Sequence, residues 1–190
     1  HPNVVKAYDF FEDNLFTYLV LELCPGGTLK SLIKKKTRLS EQETIKYVRD
    51  ILHGLAYIHD NNIIHRDIKL ENFLIDSEGH IKIADFGLSA KIKYEGERKH
   101  TVCGTPNYIS PELLLDPEKG ISYEVDIWAL GVSSFAMLTG KLPFQARKTE
   151  DTYEKIKKCD YLFPPDIHLS LGAKMFVEYL LNLNPILRPT

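Results

Sequence analysis

Eight residues between a long amphipathic stretch and two short apolar runs leave this chain few ways to fold: His65-Arg66-Asp67-Ile68-Lys69-Leu70-Glu71-Asn72. So dense a set of charged and polar side chains cannot be scattered through a core, because each buried charge needs a partner and hydrogen bonds. It belongs on a loop that its neighbours hold still. Upstream, Ser40-Glu41-Gln42-Glu43 reads as a capping box that starts a helix, and Ile45, Val48, Leu52, Leu55 and Ile58 keep one apolar face until His59-Asp60-Asn61-Asn62 ends it. Downstream, Phe73-Leu74-Ile75 and Ile81-Lys82-Ile83 flank the turn-rich Asp76-Ser77-Glu78-Gly79-His80, which predicts a hairpin. The helix delivers the loop, and the hairpin returns Asp85-Phe86-Gly87 to the side of Asn72.

These polar groups suit phosphoryl transfer, which needs a group to orient the attacking hydroxyl, cations to neutralise phosphate oxygens and ligands to hold those cations. Asp67 can accept the hydroxyl proton, Lys69 can sit beside the transferred phosphate, and Asn72 with Asp85 offers hard oxygen ligands for Mg²⁺. An ordinary polar loop is the alternative. Seven specified letters at about one in twenty each match by chance on the order of 10⁻⁹ per register, which disfavours it. With Gly104-Thr105-Pro106-Asn107-Tyr108-Ile109-Ser110-Pro111-Glu112 and Asp126-Ile127-Trp128-Ala129-Leu130-Gly131 downstream, the whole chain resembles a eukaryotic protein kinase domain.

That resemblance implies an α+β, protein-kinase-like fold: residues 1–24 a remnant of the small β lobe with the hinge, and residues 25–190 the helical large lobe, stopping before its last helix. Val4 to Phe11 and Phe16 to Leu23 read as antiparallel strands joined at Glu12-Asp13-Asn14. His1-Pro2-Asn3-Val4-Val5 resembles the turn into the fourth strand of the family, so the Gly-rich loop, the third-strand lysine and its glutamate partner are expected to lie outside these residues. The 190 residues alone are therefore expected to be inactive.

The resemblance also assigns roles. ATP and Mg²⁺ are the implied cofactors. Glu22-Leu23-Cys24 falls at the hinge that meets the adenine edge, Leu21 at the gatekeeper position and Leu74 at the adenine floor, while the letters alone also admit a plain buried strand end. His65 and Phe86 match the family's stacked apolar spine, for which core packing is an equal description. Asp126 matches an aspartate that accepts hydrogen bonds from the catalytic-loop backbone, and Arg188 an arginine that pairs with Glu112. His53 and His59 read as packing or capping residues, since no second ligand is spaced to join them.

Leu88 to Glu112 holds no long periodic run, as expected of an activation segment. Thr101 stands where Polo-like kinases carry an activating phosphothreonine, so an upstream activating kinase is implied, with Arg66 and Lys91 available to pair with the phosphate. Phe11-Glu12-Asp13-Asn14, Tyr94-Glu95-Gly96-Glu97-Arg98-Lys99 and Ser122-Tyr123-Glu124-Val125-Asp126 look most like that group, which implies a cell-cycle role. The chain departs from it at Pro25-Gly26-Gly27 and Glu71, and from the family's Ala-Pro-Glu at Ser110. Lys69, Gly104-Thr105 and Pro111-Glu112 follow the serine/threonine pattern, with Thr105 near the substrate hydroxyl. Glu71 and Glu154 match acids that favour upstream arginine in a substrate, although both also read as solvated surface acids, and Polo-like kinases tend to favour upstream acids.

Pro25-Gly26-Gly27 precedes a short helix carrying Leu29, Leu32 and Ile33; longer helices are predicted at Ser122 to Thr139, closed by Gly140, at Thr149 to Cys159, and at Ser170 to Asn182 with Ala173, Phe176, Val177, Leu180 and Leu181 on one face. With 44% apolar residues the chain can bury one substantial core, and a net charge of −2 argues against a nucleic-acid partner. Lys34-Lys35-Lys36 reads as the cationic end of a helix. Cys24, Cys103 and Cys159 are few and scattered, so neither a disulfide framework nor a zinc site is indicated. Without an apolar run of ~18 residues or a signal peptide, no membrane partner is expected and the location is cytoplasmic or nuclear. Three functions remain open: a protein serine/threonine kinase acting on protein hydroxyls, a pseudokinase or scaffold, and a small-molecule kinase of like architecture.

Overall fold

A computed structural model of the chain describes residues 1–101 and 103–189. Its helices are α1 (Leu29–Lys36), α2 (Glu41–Asp60), α3 (Pro111–Leu115), α4 (Glu124–Thr139), α5 (Thr149–Lys158) and α6 (Leu171–Leu180). Its strands form three antiparallel pairs: β1 (Ala7–Glu12) with β2 (Thr17–Leu21), β3 (Ile63–Ile64) with β6 (Ala90–Lys91), and β4 (Phe73–Ile75) with β5 (Ile81–Ile83).

The helix that delivers the polar loop, α2, packs on α4, and the β4–β5 hairpin packs in turn on α2 and α1. Apolar on nearly all faces, α4 is buried at every position from Val125 to Thr139. Three of its hydroxyls are satisfied within the helix: those of Ser133, Ser134 and Thr139 donate to the carbonyls of Ala129, Leu130 and Phe135. Gly140 ends it with φ 75°, and a Cβ there would lie 2.1 Å from the Thr37 carbonyl oxygen, so the turn into the next segment admits glycine alone. Trp128 is fully buried and stacks on Phe144 with centroids 5.5 Å apart.

The capping box forms as expected: the Glu43 N–H donates to the Ser40 hydroxyl, and Glu43 accepts from the Ser40 N–H. The buried stripe of α2 is Thr44, Val48, Ile51, Leu55 and Ile58, with Gly54 closing on the Asn3 carbonyl and the Ile83 side chain. That stripe corrects the sequence reading at two places, because Ile45 is 58% and Leu52 37% exposed. Steps of four and three from Thr44 keep a straight face, whereas Ile45 and Leu52 fall one position aside and line an open cleft with Ala173 and Phe176. The helix ends differ slightly from expectation, since Ser170 and Cys159 act as caps of α6 and α5.

The N-terminal hairpin is shorter than Val4 to Leu23. β1 begins at Ala7, after Val5 has donated to the Ile83 carbonyl, and contains Glu12. The turn is Asp13 to Phe16, where Asp13 accepts from the N–H groups of Leu15 and Phe16 and from the Tyr18 hydroxyl. The β3–β6 ladder had no signal in the sequence, being two residues long on each side.

Candidate active site

The loop from α2 to β4 is fixed from below by α4. Asp126 is 1% exposed; its Oδ1 accepts from the Arg66 N–H at 2.9 Å, and its Oδ2 from the His65 N–H at 2.9 Å and from His59 Nε2 at 2.9 Å. A buried carboxylate is tolerable when its lone pairs are filled, and here they hold two backbone groups of the loop in place. Arg66 adopts φ 66°, a left-handed geometry costly for a long side chain, and its Nε donates to the Leu88 carbonyl at 2.6 Å. Such strain persists only where the surroundings over-determine it, as this network does.

Asp67, Lys69, Asn72 and Thr105 converge. Asp67 is 6% exposed; its Oδ1 accepts from the Thr105 hydroxyl at 2.8 Å, and its Oδ2 from Lys69 Nζ at 2.5 Å and Asn72 Nδ2 at 3.2 Å. Lys69 Nζ also donates to Thr105 Oγ1 at 3.0 Å, and Asn72 Nδ2 to the Asp67 carbonyl at 2.9 Å. The carboxylate is thereby locked in one orientation. Gly104 lets the Thr105 segment approach: it has φ 117°, and a Cβ there would sit 3.1 Å from the Arg66 carbonyl.

The β4–β5 hairpin brings Asn72 and Asp85 together through the Ala84 N–H, which donates to the Asn72 carbonyl at 2.9 Å. Asp85 is exposed, has φ 64°, and among the described residues accepts only from the Gly87 N–H, at 3.2 Å. With the Asn72 amide nitrogen engaged, its Oδ1 is left for a cation, so Asn72 and Asp85 form an all-oxygen donor pair of the kind that Mg²⁺ takes. His65, fully buried, bonds through Nε2 to the Ala84 carbonyl at 3.1 Å and meets the Phe86 ring edge-on at 4.9 Å.

On the other side of the cleft, Leu21 ends β2, and Glu22, Leu23 and Cys24 continue from it. The Glu22 N–H is taken by the Lys6 carbonyl, whereas the N–H groups of Leu23 and Cys24 make no hydrogen bond among the described residues. Unpaired backbone donors on an extended segment suit the edge of a purine. Glu22 pairs with Lys82 at 2.6 Å, and that ammonium holds its carboxyl below the usual range. Burial, with Glu22 nearby, pushes the Cys24 thiol up. Leu74 is half-buried between the fully inward Phe73 and Ile75, so it faces the side opposite the core.

Other predicted residues lie around this centre. Arg188 makes a bidentate pair with Glu112 at 2.7 and 2.8 Å, donates to the Glu124 carbonyl and lies over Trp128. Thr101 is exposed and has no hydrogen bond to Arg66 or Lys91 among the described residues. Just before it, Lys99 and Ile121 exchange backbone hydrogen bonds at 2.9 and 2.8 Å, pinning the segment. Glu71 and Glu154 are each paired internally, with Lys30 at 2.6 Å and Lys157 at 2.9 Å, and do not touch each other. Sequence reasoning missed Lys30, and it read His59 as a packing or capping residue without its buried partner. His59 sits in the last turn of α2, six residues before His65, where a polar ring can reach a buried acid under the loop.

A helical lobe centred on a buried α4, a carboxylate-lysine-amide loop and a hairpin that presents a second carboxylate define a protein kinase domain. The chain matches the family described as "Protein kinase domain" over residues 1–190, and it belongs to that family. Over its full length it is 47% identical to the cell cycle serine/threonine-protein kinase CDC5/MSD2 of Saccharomyces cerevisiae, covering 27% of that protein. It is likewise 47% identical to the serine/threonine-protein kinase polo of Drosophila melanogaster and 44% to the serine/threonine-protein kinase PLK1 of Xenopus laevis, covering 32% and 31% of them. The chain therefore spans about a third or less of the length of these relatives. Among the described residues, no helix is long and apolar enough to cross a membrane.

Proposed function

We propose that this chain is the catalytic part of a Polo-like protein serine/threonine kinase of the cell cycle, with residues 1–24 contributed by the small lobe and 25–190 by the large lobe. The observation that carries this reading is the Asp67 carboxylate, held by Lys69, Asn72 and Thr105 beside Asn72 and Asp85. When bound, Mg²⁺ and ATP supply the phosphoryl group and neutralise its charge. Asn72 Oδ1 and Asp85 would hold the metal, the N–H groups of Leu23 and Cys24 would receive the adenine, and Leu21 and Leu74 would bound its pocket. Asp67 orients the substrate hydroxyl and takes its proton, Lys69 steadies the phosphate, and Thr105 holds both in register with the substrate segment. Similarity to three serine/threonine kinases supports serine and threonine as acceptors.

Full-length protein incubated with ATP, Mg²⁺ and serine- or threonine-containing peptides tests this. Asp67→Asn should lower kcat by about 10³-fold, and Asp85→Asn should lower it comparably. Unchanged turnover in either variant would remove the assignment. Residues 1–190 alone should turn over nothing, because the Gly-rich loop, the third-strand lysine and its glutamate are not among them.

Regulation belongs to the same proposal. Phosphate on exposed Thr101 would add about −1.5 to −2 charges next to a segment pinned at Lys99, with Arg66 and Lys91 as cations able to meet it. Thr101→Val should hold the full-length kinase at low activity. Full activity of that variant, isolated from dividing cells, would exclude the role.

A further inference from the structure

Lys30 sits in the first turn of α1, where the positive end of the helix dipole disfavours a cation. Its Nζ lies 2.6 Å from Glu71 Oε1, an intramolecular pair between α1 and the loop that carries Asp67. The second carboxylate oxygen, Oε2, is shielded from solvent and unpaired. The buried Tyr108 lies close enough that the Glu71 charge adds to burial in pushing its phenol up. A guanidinium binds a carboxylate best through both oxygens. Here one oxygen is occupied and the other is shut away.

We propose that Lys30 determines substrate specificity by occupying Glu71, so that an acid placed to read a basic residue upstream of the acceptor hydroxyl is closed to it. The inference rests on the kinase reading and adds to it a residue outside the catalytic loop. The Lys30 side chain is 62% exposed and that of Glu71 34%, so the pair is a latch that a competitor or a substitution can open. Lys34 follows one turn later on the same face of α1, exposed and without an ion pair among the described residues, and it adds to the repulsion an incoming cation meets. The expectation of upstream arginine treats Glu71 as free; the structure supplies its competitor.

The test uses full-length kinase and peptide pairs that differ only by arginine or alanine two or three positions before the acceptor. In the wild type the ratio of kcat/KM for arginine over alanine should stay within about two-fold. Lys30→Ala should raise it about five-fold, the scale of one exposed charge pair, and that gain should shrink at high salt. Lys30→Ala combined with Glu71→Gln should return the ratio to the wild-type value. Lys30→Gln repeats the test should the alanine variant fold poorly. A wild type that already favours arginine ten-fold, or a ratio unmoved by either Lys30 substitution, would overturn the inference. A wild type that phosphorylates no peptide at all would instead overturn the kinase reading, and the inference with it.

Discussion

The β1–β2 hairpin and helix α4 are both rich in apolar and aromatic letters, and they meet opposite fates. All residues of β1 and β2 are exposed, with Phe10 at 65% and Leu19 at 65%, whereas α4 is buried from Val125 onwards. The difference is one of neighbours: α2 and α6 pack on α4, while the hairpin reaches the rest mainly through the Val5–Ile83 backbone bond, the Gly26–Ile75 and Gly27–Ile75 bonds and the Glu22–Lys82 pair. The Asp67 loop is therefore bolted to a core through Asp126, and the segment from Leu21 to Cys24 follows a ribbon whose apolar faces the described residues leave uncovered.

Substitutions at the two ends of this contrast should break it most visibly. Asp126→Ala leaves the N–H groups of His65 and Arg66 unpaired beneath the loop and should cost about 2–4 kcal/mol, read as a lowered Tm. Phe10→Ser, in the exposed hairpin, should stay within about 0.5 kcal/mol when residues 1–190 are unfolded alone. Comparable losses from both would show that the hairpin carries stability its exposure denies it. Next in size is Gly140→Ala, which forces a Cβ towards the Thr37 carbonyl at φ 75° and should cost about 1–3 kcal/mol in urea unfolding. An unchanged midpoint would mean that the α4 terminus can shift without disturbing the lobe.

The same contrast decides what could be read in advance. Capping at Ser40 and Glu43, the periodicity of α2 and the turn-rich run between Ile75 and Ile81 are local signals, and each became the element expected. Ile45 and Leu52 misled because periodicity reports an apolar face without saying which neighbour covers it. The β3–β6 ladder escaped because two residues carry no period. The Lys30–Glu71 and His59–Asp126 contacts join positions 41 and 67 residues apart, and nothing short of the fold brings them together.

The smallest effect separates the two regions by pH. The Lys36 ammonium, aided by the Ser40 N–H, lowers the Glu43 carboxyl from 4.5 to about 2, while in the hairpin turn the Leu15 N–H, the Tyr18 hydroxyl and the Phe16 N–H lower that of Asp13. A carboxyl whose pKa is depressed by folding stabilises the native state fully above its unfolded value and loses that contribution as pH falls through its folded value. Glu43 should therefore support α2 above about pH 4.5 and release it progressively towards pH 2; with its side chain 36% exposed, screening holds the contribution under about 1 kcal/mol. Asp13 is fully solvated in a turn outside the core, so its protonation should loosen the hairpin and leave the lobe standing. Urea midpoints measured from pH 6 to pH 3 should fall less steeply in Glu43→Gln than in the wild type, and in parallel with the wild type in Asp13→Asn. A flattened slope in Asp13→Asn would place the acid-sensitive contact in the ribbon and reverse the order of the two regions.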